Sequence, residues 1–168
     1  QRTAPGSTFK MVSSTAGVME NVITTGSPIT CTGVFDKLNG TVHKCHIYPG
    51  SHGTLDLRGG IKNSCNCFFY EVGYRLAYDG DKYNDHYGIE RLAKYADMYG
   101  LSEKSGVEIT EAEPAVSDQY PVPSAIGQGT HNYTTVGLSR YVTTVANSGT
   151  CYNLTLLSKM HSSFRRVD

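Results

Sequence analysis

The stretch Pro5-Gly6-Ser7-Thr8-Phe9-Lys10-Met11-Val12 constrains this chain more than any other. Pro5-Gly6 punctuates the backbone as a turn does, Ser7 is a residue type that caps helices, and Phe9, Val12 and Ala16 return at the spacing of a buried helical face. The pattern predicts a helix over 7–21. On it, Ser7 and Lys10 lie one turn apart on the same side, where the amine can take the hydroxyl proton. The unpaired N–H groups and partial positive charge of a helix start favour negative charge developing at Ser7. The pair reads as a nucleophile with its base, against the blander reading of a serine that only caps.

A chain of 168 residues suits one domain with a real core, and 18 glycines with no tryptophan point to a loop-rich one. Its 15 basic and 15 acidic residues cancel, so nucleic acid and anionic membrane surfaces are not expected partners. With no run of eighteen apolar residues and no signal peptide, the 168 residues are themselves expected to be soluble. The abrupt start, six residues before the most informative motif, reads as a piece of something longer.

Residues 22–60 are rich in Gly, Thr, Pro and turn pairs, with little helical period. They read as an irregular insert with short strands and a hairpin across Asn39-Gly40. The insert also holds Cys31, His43, Cys45, His46 and His52. Residues 61–157 read as the helical part, with helices over 66–78, 87–99 and 134–147. Gly100 supplies a left-handed stop for the second and Ser148-Gly149 ends the third. Loop is expected over 101–123, broken by one strand at 107–109, and 152–157 reads as a further strand. Pro121 and Pro123 argue against regular structure around them. The tail 158–168 shows no period. The fold class is thus mainly α with a short-strand insert.

Three motifs in order resemble a class B penicillin-binding protein: Pro5-Gly6-Ser7-Thr8-Phe9-Lys10, Ser64-Cys65-Asn66 before an aromatic helix, and Ala125-Ile126-Gly127-Gln128-Gly129 before a Thr-led helix ending Ala146-Asn147-Ser148-Gly149-Thr150. Ser-x-x-Lys and Ser-x-Asn are two of the three motifs of such enzymes; the third, Lys-Thr-Gly, occurs nowhere in the 168 residues. The resemblance implies a partial transpeptidase domain over 1–168, the helical subdomain of the penicillin-binding protein and β-lactamase-like fold with much of the central sheet missing.

The resemblance further implies acyl transfer on a peptidoglycan stem peptide ending in D-Ala-D-Ala, with β-lactams acylating the same serine. Ser7 would be the nucleophile, Lys10 its base, Ser64 a proton relay to the leaving amine, and Asn66 a holder of Lys10 or the substrate amide. Gln128, Gly129 and Thr130 would border the substrate. One oxyanion donor would be the Ser7 N–H and the other would come from the absent Lys-Thr-Gly strand, so these residues alone are expected to be inactive or weakly active. The family implies the outer face of a bacterial membrane, with an anchor outside this chain. A non-catalytic zinc-stabilised module and a penicillin-sensing or β-lactamase relative are the alternatives.

Cys31, Cys45, His52 and Cys65 supply three thiolates and an imidazole, the ligand chemistry of a structural zinc, and the resemblance implies such a site beside the catalytic loop in some members. If Ser64-Cys65-Asn66 is locally extended, Ser64 and Asn66 face the cleft while Cys65 faces behind it. A Cys31 to Cys45 disulfide and free buried thiols remain open, as do His43 and His46 as ligands.

Overall fold

The computed structural model describes residues 1–157. Strand β1 spans Arg2–Thr3, and the first helix then begins differently from the expectation. Gly6–Phe9 form a 3-10 turn, and the α-helix proper, α1, is Lys10–Met19. Ser7 lies inside the turn and caps nothing, because a tertiary bond does that work. Gly6, at φ 56°, donates its N–H to the Gly127 carbonyl at 3.0 Å, which leaves the Ser7 hydroxyl available. Phe9, Val12 and Ala16 are fully buried on the face their spacing marked.

The insert contains β2 (Ile29–Cys31), β3 (Val34–Leu38), β4 (Thr41–Lys44) and β5 (Gly53–Leu55). The expected hairpin forms: β3 and β4 pair antiparallel across Asn39-Gly40, Phe35 opposite His43, with a register shift before Leu38. β2 and β5 also pair antiparallel, Cys31 opposite Gly53. A short helix α2, Leu57–Lys62, was hidden by Gly59 and Gly60, which lower helix propensity. Asp56 starts it by accepting the Gly59 N–H at 2.7 Å. Gly60 is required there, since a Cβ would stand 2.8 Å from the Phe68 ring.

The central element is α3, Asn66–Leu76. Phe68, Phe69, Val72 and Leu76 are fully buried, and such side chains each contribute about 1.5–3 kcal/mol. A small hairpin of β6 (Tyr78–Asp79) and β7 (Lys82–Tyr83) leads to α4, Asp85–Met98, which starts early because Asn84 caps it through the His86 N–H at 3.0 Å. Gly100 has the left-handed φ of 74° expected of a stop.

Neither strand expected at 107–109 and 152–157 forms. The two segments do meet, through the Glu108 carboxylate, which accepts the Thr155 hydroxyl and, at 2.9 Å, the Leu156 N–H. The prolines open a short helix, α5 (Pro121–Ser124), since a first helical turn needs no N–H from them. β8 (Tyr133–Thr134) pairs with β1, and α6 (Thr135–Ala146) follows, capped by Thr134 through the Gly137 N–H at 3.1 Å. The irregular tail expected over 158–168 lies outside the described residues.

The architecture is helical, with α3 packed against α1, α4 and α5 and bordered by the insert hairpins. Among the described residues every sheet has two strands. None of their helices is long and apolar enough to cross a membrane.

Candidate active site

Two elements meet at Lys10. Its side chain, 3% exposed, leaves the first turn of α1 and reaches the loop between α2 and α3. Nζ donates to Ser7 Oγ at 3.0 Å, the Ser64 carbonyl at 2.8 Å, Ser64 Oγ at 3.0 Å and Asn66 Oδ1 at 2.7 Å. Ser7, Lys10, Ser64 and Asn66 are thus one cluster, although more than fifty residues separate the pairs along the chain. Burial lowers the Lys10 pKa to about 8, against an opposing pull from Cys65 and Cys45. The amine is therefore far easier to deprotonate than an exposed lysine.

The loop achieves its facing by a route the extended reading did not anticipate. Ser64 is left-handed, at φ 48°, and Cys65 is the extended N-cap of α3, at φ −68° and ψ 112°. Ser64 and Asn66 turn to Lys10 while Cys65 turns back, where its Sγ accepts the Phe68 N–H at 3.5 Å. A single positive-φ residue, with no sign in the residue types, sets this geometry.

Behind the loop, ligand atoms of Cys31, Cys45, His52 and Cys65 all lie within 4.8 Å of one another. Cys31 Sγ and Cys45 Sγ are 3.6 and 3.7 Å from His52 Nδ1. Tetrahedral zinc, with bonds of about 2.3 Å to sulfur and about 2.1 Å to nitrogen, needs sulfur-to-nitrogen spacings of about 3.6 Å, which the two Cys–His52 separations match. Burial pushes the Cys45 thiol up, but the N–H groups of Cys67, Ile47 and Asn66 overcome it and hold the pKa down to about 6. Burial and neighbouring thiols push Cys65 up to about 12. Crowded buried sulfurs cannot all ionise without a cation among them. All five cysteines are free thiols here. His46 Nδ1 is 3.8 Å from Cys45 Sγ, whereas the His43 ring packs on Tyr70 at 5.0 Å.

The Gly127–Gly129 turn lies against the Ser7 turn. A Cβ on Gly127, whose φ is 75°, would overlap the Gly6 carbonyl, so glycine is needed where the two backbones touch. Gln128 is exposed beside it. The Thr130 hydroxyl is engaged inside the loop, donating to Asp118 Oδ1 at 2.7 Å and lying 3.0 Å from Ser117 Oγ. His131, which no spacing singled out, is buried two residues beyond Gly129 with its ring 4.2 Å from Phe9. A lone histidine outside any motif left no signal in the residues.

Fold and site together define a serine–lysine domain of the penicillin-recognising kind. A family profile described as the penicillin-binding protein transpeptidase domain matches residues 1–168. The chain belongs to that family, and its relatives place it among the class B proteins. It is 28% identical over 160 residues to the peptidoglycan D,D-transpeptidase MrdA of Haemophilus influenzae, covering 86% of this chain and 23% of MrdA. The chain thus spans about a quarter of that relative's length. Pseudomonas aeruginosa PBP2 in complex with WCK 5153 superposes with a TM-score of 0.80 at 22% identity, covering 94% of this chain and 37% of the other. The imipenem acyl-enzyme complex of penicillin-binding protein A from M. tuberculosis superposes at 0.69 and 24% identity, covering 89% and 33%.

Proposed function

We propose that this chain carries the nucleophile side of a peptidoglycan D,D-transpeptidase site. The observation that supports it best is the Lys10 amine, buried and bonded at once to Ser7, Ser64 and Asn66. In the proposed reaction neutral Lys10 takes the Ser7 proton as Oγ attacks the carbonyl between the two terminal D-alanines. The tetrahedral intermediate collapses as its C–N bond breaks, and Ser64 relays a proton to the departing amine. The acyl group on Ser7 then passes to an amine of a neighbouring strand, which makes the cross-link. Asn66 holds the Lys10 amine in line, and the Gln128, Gly129 and Thr130 segment borders the substrate beside the Ser7 turn.

β-Lactams would acylate the same hydroxyl, by analogy with the imipenem acyl-enzyme complex of the M. tuberculosis penicillin-binding protein A. The resemblance assigns the second oxyanion donor to a Lys-Thr-Gly strand, a motif not found in these 168 residues, and losing one such donor costs about 10²–10³ in rate. These residues by themselves are therefore weakly active. The setting this implies is cell-wall synthesis at the outer face of a bacterial membrane.

Zinc is proposed as the occupant of Cys31, Cys45, His52 and Cys65. Bound there, it supplies a structural cross-link rather than chemistry on substrate. The residues that gain are Ser64 and Asn66, whose backbone is anchored from behind through Cys65. Elemental analysis should find one zinc per chain; no metal together with two fewer titratable thiols would replace zinc by a disulfide.

Acylation is tested by extended incubation with a penicillin followed by peptide mapping. A slow adduct on Ser7, absent from Ser7→Ala, is expected. An adduct mapped elsewhere, or none at all, overturns the reading; rapid stoichiometric labelling overturns only the weak activity.

A further inference from the structure

His131 is a buried titratable group to which the acyl-transfer reading gives no work. Its ring is 4% exposed and fully partnered. Nδ1 accepts the Ser117 N–H at 3.0 Å and lies 2.9 Å from the Tyr133 hydroxyl, while Nε2 lies 3.2 Å from the Ser124 carbonyl. A carbonyl only accepts and a backbone N–H only donates, so these two partners fix one neutral tautomer: Nε2 bears the proton and bare Nδ1 takes the Ser117 N–H, with the Tyr133 hydroxyl alongside.

The groups it gathers are those that seat the nucleophile. Ser124 carries the chain into Gly127, whose carbonyl takes the Gly6 N–H at 3.0 Å. Tyr133 lies in β8, which holds β1 by pairing Thr3 with Tyr133, just ahead of the Ser7 turn. Phe9, at 4.2 Å from the imidazole, is in that turn itself. One ring thus touches both clamps and the element between them.

We propose that His131 is a positioning residue whose uncharged imidazole sets the Ser7 turn against the Gly127–Gly129 loop; the role rests on the reading of Ser7 as nucleophile. A second proton on the ring would point a new N–H at the Ser117 N–H, two donors face to face, and the Ser117 link would open. Burial already opposes that proton and pulls the pKa down to about 4. The titratable groups around it give it no anion. Tyr133 faces it from β8, Asp118 turns its carboxylate to the Thr130 hydroxyl at 2.7 Å, and Lys10 on α1 is directed at Ser64 and Asn66.

The test compares wild type with His131→Phe, which keeps a ring on Phe9 without the bonds, and His131→Asn, which returns an acceptor near Nδ1. Amide exchange at Gly6 is followed from about pH 4 to about pH 8, with the α4 amides as internal reference. His131→Phe should lose Gly6 protection by about tenfold more than α4, the equivalent of one hydrogen bond, and His131→Asn should recover part of it. Wild type should lose the same protection as pH falls toward 4, and His131→Phe should stay flat there. Equal losses at Gly6 and α4, or a wild type indifferent to pH, overturn the proposal. If His131→Phe does not fold, the wild-type pH series and His131→Asn decide. The rate of penicillin adduct formation at Ser7 supplies a separate arm. No adduct in wild type sinks the acyl-transfer reading and leaves exchange to judge His131, whereas an adduct forming at the wild-type rate in His131→Phe sinks the positioning role.

Discussion

An ammonium enclosed by four oxygens and little water is held by hydrogen bonds and pressed toward neutrality by burial. At Lys10 burial is the larger effect, and the pKa comes down to about 8. Two outcomes follow from the sign of that shift. Ser7 acylation needs the neutral amine, so its rate should climb about tenfold per pH unit below pH 8 and level off above it; a rate flat across that range would remove Lys10 as base. The unfolded chain, with the ordinary value of 10.5, binds the extra proton between pH 8 and 10.5, so folding gains from rising pH in that window. Denaturant titrations of wild type against Lys10→Met should show wild type gaining by up to roughly 1.4 kcal/mol per pH unit there, and no gain below it. Spacing named the Ser7 and Lys10 pair, and the resemblance carried by Ser-x-x-Lys and Ser-x-Asn added Ser64 and Asn66, because both motifs are local patterns. They did not reveal that Ser64 is left-handed, since a serine in that conformation is imposed by its surroundings.

Among the elements, α5 sits close against both α3 and α4, and two glycines permit it. A Cβ at Gly73 would stand 2.7 Å from the Pro121 carbonyl and 2.8 Å from the Ala125 Cβ, and one at Gly88 on α4 would stand 2.7 Å from the Pro121 Cβ. The short helix α5 therefore rests on backbone at both contacts. Alanine at Gly73 gains about 1 kcal/mol of helix propensity, yet the overlap costs about 1–3 kcal/mol. The overlap should win, because the nearest atoms include α5 backbone, which cannot swing aside as a side-chain end would. Gly73→Ala should lower the urea midpoint with unchanged m-value; a more stable variant would show that α5 floats. Apolar spacing made α1, α3, α4 and α6 legible. It missed α2 and α5, whose Gly-Gly and Pro-x-Pro content reads as loop until a cap at Asp56 or the packing around Gly73 and Gly88 is seen.

At the scale of the molecule, the insert shares the apolar core of the helices, with Ile29 and Phe35 buried in one cluster with α3, and polar ties add to that contact. Glu71 on α3, buried, holds Lys37 of β3 at 2.8 Å and Arg75 at 2.8 Å, while the Cys and His cluster spans β2, the loop after β4 and the start of α3. If zinc closes that cluster, a strong chelator should expose residues 22–60 to protease while α1, α3 and α4 stay protected, and Ser7 acylation should fall with it as the Ser64 loop loosens. Uniform protection with and without chelator would show that Glu71 and the hairpins suffice.

Residue order determined α1, the three other long helices and the hairpin across Asn39-Gly40, because each is written in short-range periodicity or turn chemistry, while the resemblance carried by the motifs named the residues gathered at Lys10 and at the sulfurs. The folded molecule decided how those groups face one another. The Gly6 to Gly127 bond replaces a cap, a left-handed Ser64 divides the loop between amine and sulfurs, and a buried imidazole joins the turns around Ser7. Each of these joins residues far apart in the chain or answers to strain imposed by neighbours, and no local pattern records either.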